Sequence, residues 1–454
     1  MKLQLLLLVS IVTIYSTPGD AQTDSSGKSI DRARLASDVR TEFLHAWNGY
    51  KQYAWGHDDL KPLSKSYHDW HTVPLYMTAV DAMDALTIMG FDDEAKADRE
   101  YVATHLTFDH DIEVKNFEIT IRILGALVTN YQLTKDERLL ALAKDLGKRL
   151  LPVFASPTGM PYGYVNLKTG KVRGNVTNPA EIGTLLIEFG TLSKLTGDTI
   201  FFNKAKSALV ALYNRRSPLG LVGSQINVET GQWVDSSSHL SGGIDSYYEY
   251  LLKCSRLFSD SACADMWKTS IAAVHTYLAH DSNGVLNYRV VNMYTGKPIE
   301  NYTGALDAFF PAVLALSGDT ARARRLEESF YKIWTTFGIE PEGLDYVTMK
   351  VQYPGYPLRP EIIESAFYLH YYTGDPRYLQ MGQTFFESLK KYCRNDVGYA
   401  TLKDVTTKVQ SDEMESFFLA ETMKYLYLLF APRETLDLEK SVFNTEAHPV
   451  VKSW

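Results

Sequence analysis

Cysteine is scarce in this 454-residue chain: Cys254, Cys263 and Cys393 are all there is, and no two make a C-x-x-C pair. That spacing argues against a structural zinc site. Cys254 and Cys263 either form a local disulfide, leaving Cys393 free, or all three are buried thiols. Blocks of one charge are missing as well. Lys and Arg number 46 against 54 Asp and Glu, and the net charge of -8 contains no basic run, so no nucleic-acid partner is expected. After the first 15 residues no apolar run approaches the roughly 20 residues of a membrane-crossing helix. There is no G-x-S-x-G elbow, no H-E-x-x-H helix and no phosphate-binding loop, so serine-hydrolase, zinc-peptidase and nucleotide chemistry find no support.

What is present begins with an export leader. Lys2 precedes the apolar residues 3–15, and small or turn-forming residues follow as far as Ala21, which predicts a signal peptide over 1–21 and one domain over 22–454. The chain ends at Trp454 without a K-D-E-L signal. The expected location is periplasmic or secreted for a bacterial protein, and otherwise a secretory-pathway lumen. Asn175-Val176-Thr177 and Asn301-Tyr302-Thr303 are glycosylation sequons, which a bacterial route would leave bare.

The hydrophobic content of 45% supports a large core, and 29 Tyr suit a sugar-facing interior. From about residue 32 to 430, amphipathic stretches recur, about fourteen in all. Leu139, Leu142, Leu146 and Leu150 share one helix face, as do Tyr378, Met381, Phe385 and Leu389. The turns between helices repeat as Leu195-Thr196-Gly197-Asp198, Ser317-Gly318-Asp319 and Thr373-Gly374-Asp375, with a related Leu133-Thr134-Lys135-Asp136. Gly releases one helix and Asp caps the next. A second element recurs between β-branched and aromatic residues: Asn166-Leu167-Lys168-Thr169-Gly170, Asn227-Val228-Glu229-Thr230-Gly231 and Asn292-Met293-Tyr294-Thr295-Gly296. It reads as a β-hairpin turn. The unit is therefore a helix pair followed by a hairpin-bearing loop. About seven such units predict an all-α, closed (α/α)7 barrel. Val442-Phe443 and Val450-Val451 flank Asn444 to Pro449 as one more hairpin, placed to plug the barrel.

Carboxylates stand where the helical pattern calls for core. Glu118 lies inside an apolar helix start; Asp245 and Glu249 are at i and i+4; Glu361 and Glu364 are at i and i+3. Glu181 and Glu188 are two turns apart, and Glu421 follows Phe417-Phe418-Leu419-Ala420. Any one of them reads equally as a helix cap or a surface charge. Six or more from different helices imply a bound cation, a polyhydroxylated ligand, or both, because buried carboxylates cost several kcal/mol each unless paired. Two carboxylates flanking a sugar bond supply the acid and base of glycoside hydrolysis. Oxygen-rich, thiol-free surroundings favour calcium over zinc.

From about residue 54 to 449 the chain resembles the class I α-mannosidases, glycoside hydrolase family 47. The stretches that carry the resemblance include Ala54-Trp55-Gly56-His57-Asp58-Asp59-Leu60-Lys61-Pro62, Asp81-Ala82-Met83-Asp84-Ala85-Leu86, Arg359-Pro360-Glu361, Glu415-Ser416-Phe417-Phe418-Leu419-Ala420-Glu421-Thr422 and Phe443-Asn444-Thr445-Glu446-Ala447-His448-Pro449. The resemblance implies an inverting, calcium-dependent exo-α-1,2-mannosidase. It makes Glu118 the general acid, Glu361 the general base and Asp245 a third catalytic carboxylate. Thr445 becomes the calcium ligand, and Glu181, Glu188, Glu249, Glu364, Glu421 and Glu446 surround metal and sugar, with Phe417 stacking on the terminal ring. An inverting enzyme holds its two carboxyl groups roughly 6.5–9.5 Å apart to seat a water. The chain departs from endoplasmic-reticulum members at Gly243, where they carry Arg. Residues 183–190 and 306–311 look more like the degradation-enhancing mannosidase-like branch. The competing function is a mannose-binding lectin on the same scaffold. A monomer acting on mannose-containing oligosaccharides is expected.

Overall fold

The computed structural model describes residues 30–282 and 284–452; the leader expected over 1–21 lies outside them. Among the described residues, seven helical stretches are buried on nearly every side: Met77–Ile88, 116–134, 179–196, Asp245–Phe258, 305–317, Glu361–Thr373 and 418–430. In the first of them every residue from Met77 to Leu86 is buried, Asp81 and Asp84 included. A helix apolar nearly all round belongs inside a protein.

Seven further helices are two-faced: Arg32–Tyr53, Asp92–His105, Glu137–Leu150, Thr199–Tyr213, Ser261–Tyr277, Thr320–Phe337 and Arg377–Tyr392. Glu137–Leu150 buries Leu139, Ala143, Leu146, Gly147 and Leu150. Leu142, expected in that stripe, is only half-buried. Arg377–Tyr392 buries Tyr378, Met381, Phe385 and Leu389 as predicted. Each inner helix packs on the next inner helix and on the outer helix that follows it. The last inner stretch, 418–430, packs back on Met77–Ile88 and on Arg32–Tyr53, so first and last meet in an α-helical barrel.

The short turns follow the predicted chemistry. Asp136, Asp198, Asp319 and Asp375 each accept a backbone N–H from the next helix, while Gly197, Gly318 and Gly374 take left-handed φ values of 74°, 96° and 68°. Asp260 makes the same cap, with Ser259 at φ 53° in the glycine position. The predicted hairpins close at 164–173, 225–235 and 290–300. In each, the Asn side chain accepts N–H groups two and three residues on. Asp345 and Asp404 head two hairpins of related build, with Met349 and Lys408 where Gly would be. No N-x-x-T-G string marked them, so the sequence reading passed over them.

The three cysteines are buried thiols, which decides between the two alternatives left open above. No helix of the described residues is long and apolar enough to cross a membrane.

Candidate active site

The tail hairpin pairs Ser441–Phe443 with Pro449–Val451, and its tip reaches into the ring of inner helices. Asn444 organises the tip. Its Oδ1 accepts the N–H groups of Glu446 and His448 at 3.0 and 2.8 Å. Its Nδ2 donates to the Ile121 carbonyl at 2.8 Å and to Glu188 at 2.9 Å. Gly125 permits that approach, since a Cβ there would lie 2.6 Å from Asn444 Nδ2. Under the tip, Asp84 binds both His448 Nδ1 at 2.6 Å and Lys424 Nζ at 2.5 Å, and Lys424 also donates to the Ala447 carbonyl at 2.7 Å. Burial alone would raise Asp84, but Lys424 and His448 outweigh it and hold the carboxyl below its usual range. His448 is driven the other way: burial opposes its charge, yet Asp84 and Asp81 raise it to about 9. The tip therefore rests on a paired, fully buried charge cluster.

Thr445 projects from this tip into a cavity of about 290 Å³. Ten of the eleven residues expected to form the site line that cavity: Glu118, Glu181, Asp245, Glu249, Glu361, Glu364, Phe417, Glu421, Thr445 and Glu446. Glu188 is not among them. It lies behind the wall, accepting from Tyr250 and Asn444, and Tyr250 in turn receives the Thr445 N–H at 3.3 Å. Its contact with the site runs through the hairpin tip.

The carboxylates arrive from helix starts and from distorted turns. Asp245 and Glu361 each open a helix. Asp245 lies two residues after Gly243, whose φ of +93° disfavours any side chain. Leu358, at φ 66°, precedes Arg359; such strain in a non-glycine residue clusters at functional sites. Two π-helical turns occur among the described residues, Thr120–Leu124 and Phe418–Thr422. One follows Glu118 and the other contains Glu421, consistent with the habit of π-turns to re-aim functional side chains.

The cations of the cavity were not singled out from sequence. Arg122 Nε and Nη2 both reach Glu118 Oε2 at 3.2 Å, while its Nη1 reaches Glu446 at 2.5 Å. Lys115 meets Glu181 at 3.1 Å, and Arg359 grips Glu342 at 2.7 and 3.1 Å. Arg122 and Arg359 each stand 5.6 Å from the Phe417 ring centre, orienting its ring through cation–π contact. The i,i+4 spacing of Glu118 and Arg122 was a usable signal; the other pairs join separate strands, loops and helices and left none.

Eight carboxylates thus share one cavity with three cations, Lys115, Arg122 and Arg359. Metal-free, the surplus is met by protons. Burial raises Glu361 to about 8 against the pull of Arg359. It raises Asp245 to about 7, with Glu249 adding repulsion, and Glu364 to about 7 against Lys253. One carboxylate oxygen of Glu361 is buried without a partner. No three His, Cys, Asp or Glu side chains among the described residues converge to hold a metal by themselves. A hard cation here would therefore rest on Thr445 oxygens, water and ligand hydroxyls, with the surplus negative charge around it.

The raised values predict how stability depends on pH. The folded, metal-free protein holds protons that the unfolded chain releases near pH 4.5, so its stability falls as pH rises from about 5 to about 8. In EDTA the melting temperature should drop by about 3–5 °C across that interval. Thermal scans at fixed ionic strength check this; a flat or rising profile would contradict it.

The model of the family described as glycosyl hydrolase family 47 matches residues 42–452. An alpha-mannosidase I of Arabidopsis thaliana is 38% identical across 100% of this chain and 83% of its own. ER degradation-enhancing alpha-mannosidase-like protein 2 of Mus musculus is 37% identical across 99% and 83%. The solved alpha-1,2-mannosidase from Trichoderma reesei superposes with a TM-score of 0.86 at 29% identity, covering 92% of this chain and 99% of that one.

Proposed function

The chain belongs to glycosyl hydrolase family 47, and from that membership and its cavity we propose an exo-acting, inverting α-1,2-mannosidase that removes terminal mannose from glycans. The observation that best supports it is the convergence of carboxylates from separate helices on one cavity beside Thr445. Seven helix pairs make an (α/α)7 barrel in this reading, with the hairpin 441–451 as its plug. The relatives named for the ER, together with the leader-like start, support a place in a secretory-pathway lumen.

Glu118 protonates the glycosidic oxygen as the bond to the anomeric carbon breaks. Water attacks the opposite face of the ring, and its proton passes to Glu361. Bulk water then returns Glu361 and Glu118 to their starting states. Asp245, held by the Ser246 N–H at 2.7 Å, orders water and sugar from the third side. Phe417 stacks on the terminal ring, between the two guanidiniums that orient it. A calcium ion on the Thr445 hydroxyl and carbonyl would fix two sugar hydroxyls and favour a distorted ring. A pKa near 8 suits a general acid better than a base. A divalent cation held at Thr445 would add positive charge among these carboxylates, which would favour the ionised form that the base role of Glu361 needs.

Incubation with the methyl α-glycoside of α-1,2-mannobiose, whose cleavage frees a single reducing mannose, followed by NMR, tests the reading. Release of β-mannose first, abolished by EDTA and restored by calcium, is the expected result. α-Mannose as the first product would overturn inversion, and undiminished turnover in EDTA would overturn the metal. Glycan binding without release would favour the lectin.

A further inference from the structure

Cys254 and Cys263 meet where the inner helix Asp245–Phe258 turns into the outer helix Ser261–Tyr277. The Cys254 S–H donates to the Cys263 sulfur, and both side chains are fully buried. The turn that joins the two helices is short and runs through Ser259 at φ 53°, a conformation that costs a residue with a Cβ.

The surroundings of the two sulfurs differ. Lys206, from the outer helix Thr199–Tyr213, donates to Cys263 Sγ at 3.1 Å and is anchored by Asp260 at 2.6 Å. Asp260 also accepts the Cys263 N–H at 2.8 Å. Cys263 stands in the first turn of its helix, where the peptide dipoles favour negative charge. Hydrogen bonds from Cys254 and Lys206 hold the Cys263 thiol below its ordinary value, against burial. Burial pushes the Cys254 thiol well up. One sulfur is thus prepared as a thiolate and the other as the proton-bearing partner beside it. Packing alone asks for neither the lysine nor its carboxylate anchor, since an inert buried thiol packs as a small apolar group.

We propose that Cys254 and Cys263 form an exchange-active dithiol, which a low-molecular-weight disulfide such as oxidised glutathione converts reversibly to an intrachain disulfide. The Cys263 thiolate attacks one sulfur of the small disulfide and expels one thiolate. Cys254 then gives up its proton and attacks the Cys263 sulfur of the mixed disulfide, expelling the second thiolate. The protein loses two electrons and two protons, and two molecules of small thiol carry them away. Exchange waits on opening of the first turn of Ser261–Tyr277, because helix ends open more readily than cores. The disulfide would tie the helix that carries Asp245, Glu249 and Tyr250 to its outer neighbour. Nothing in this chemistry depends on the glycosidase reading.

The test incubates the full chain with oxidised glutathione, quenches with acid, alkylates free thiols and maps the peptides by mass spectrometry. Cys254 should be joined to Cys263, and dithiothreitol should return both to the alkylated form. Cys393, whose thiol burial pushes far up, is the internal control and should stay free. Lys206→Met should slow formation of the disulfide by about three- to tenfold, and Lys206→Arg should keep most of the wild-type rate. Cys254→Ser should stop at a mixed disulfide on Cys263, whereas Cys263→Ser should form no adduct on Cys254. Alkylated thiols at both positions after prolonged incubation would overturn the proposal. So would a glutathione adduct on Cys393 formed at the same rate, which reports unfolding rather than a prepared pair. Where Lys206→Met does not fold, the two serine variants decide by themselves.

Discussion

Glu118→Gln is expected to lower kcat by about 10²–10⁴-fold while leaving glycan affinity and melting temperature near wild type. Glutamine keeps an acceptor for Arg122, whose two nitrogens reach Glu118 Oε2, so the cavity should hold its shape while the transferable proton disappears. Glu361→Gln should cost a similar factor for the opposite reason, the loss of a proton acceptor for water. An α-mannosyl fluoride separates the two, because fluoride departs without protonation. The Glu118 variant should recover most of its rate on that substrate, and the Glu361 variant should not. The reverse pattern would exchange the roles. Burial, which raises Glu361 to about 8, makes that exchange the physically serious alternative in a metal-free site.

Asp84→Asn should destabilise the protein by about 3–5 kcal/mol, although Asp84 lines no part of the cavity. Lys424, Asp84 and His448 have fully buried side chains, and removing the carboxylate takes from Lys424 its ion-pair partner and leaves His448 paired with Asp81. The hairpin tip depends on the same groups, through the Lys424 bond to the Ala447 carbonyl. Loss of calcium affinity should therefore accompany the loss of stability. Chemical denaturation of the variant, with a parallel calcium titration, measures both. A change under 1 kcal/mol with unaltered calcium affinity would show that the cluster does not hold the tip. In the wild type, His448 contributes stability that is fully present below about pH 6.5 and lost as pH rises through about 9.

Helix pairs, capped turns and three of the hairpins were legible because they depend on neighbours in the chain. Gly197, Gly318 and Gly374 end helices through their own φ, and the Asp that follows caps the next helix within a few residues. The same locality explains what was missed. Ser259, Met349 and Lys408 take left-handed conformations without being glycine, so only the folded backbone reveals those turns.

The site divides along a similar line. In the sequence, charge inside apolar helices, anomalous wherever it occurs, singled out most of the carboxylates, and the family resemblance added Thr445 and Glu446. The sequence did not determine that Glu188 stands behind the wall, that Arg122 joins Glu118 to Glu446, or that Asp84, Lys424 and His448 carry the hairpin tip. The bonds of Arg122 reach a residue 324 positions away on one side and one 4 positions away on the other. Helical spacing predicts only the near partner. The far one depends on a chain terminus threading back among the inner helices, and hydrogen bonds across that distance have no periodicity for a sequence to display. Local geometry is written in adjacent residues, whereas the charge balance of a buried site is settled only when helices remote in sequence close around it.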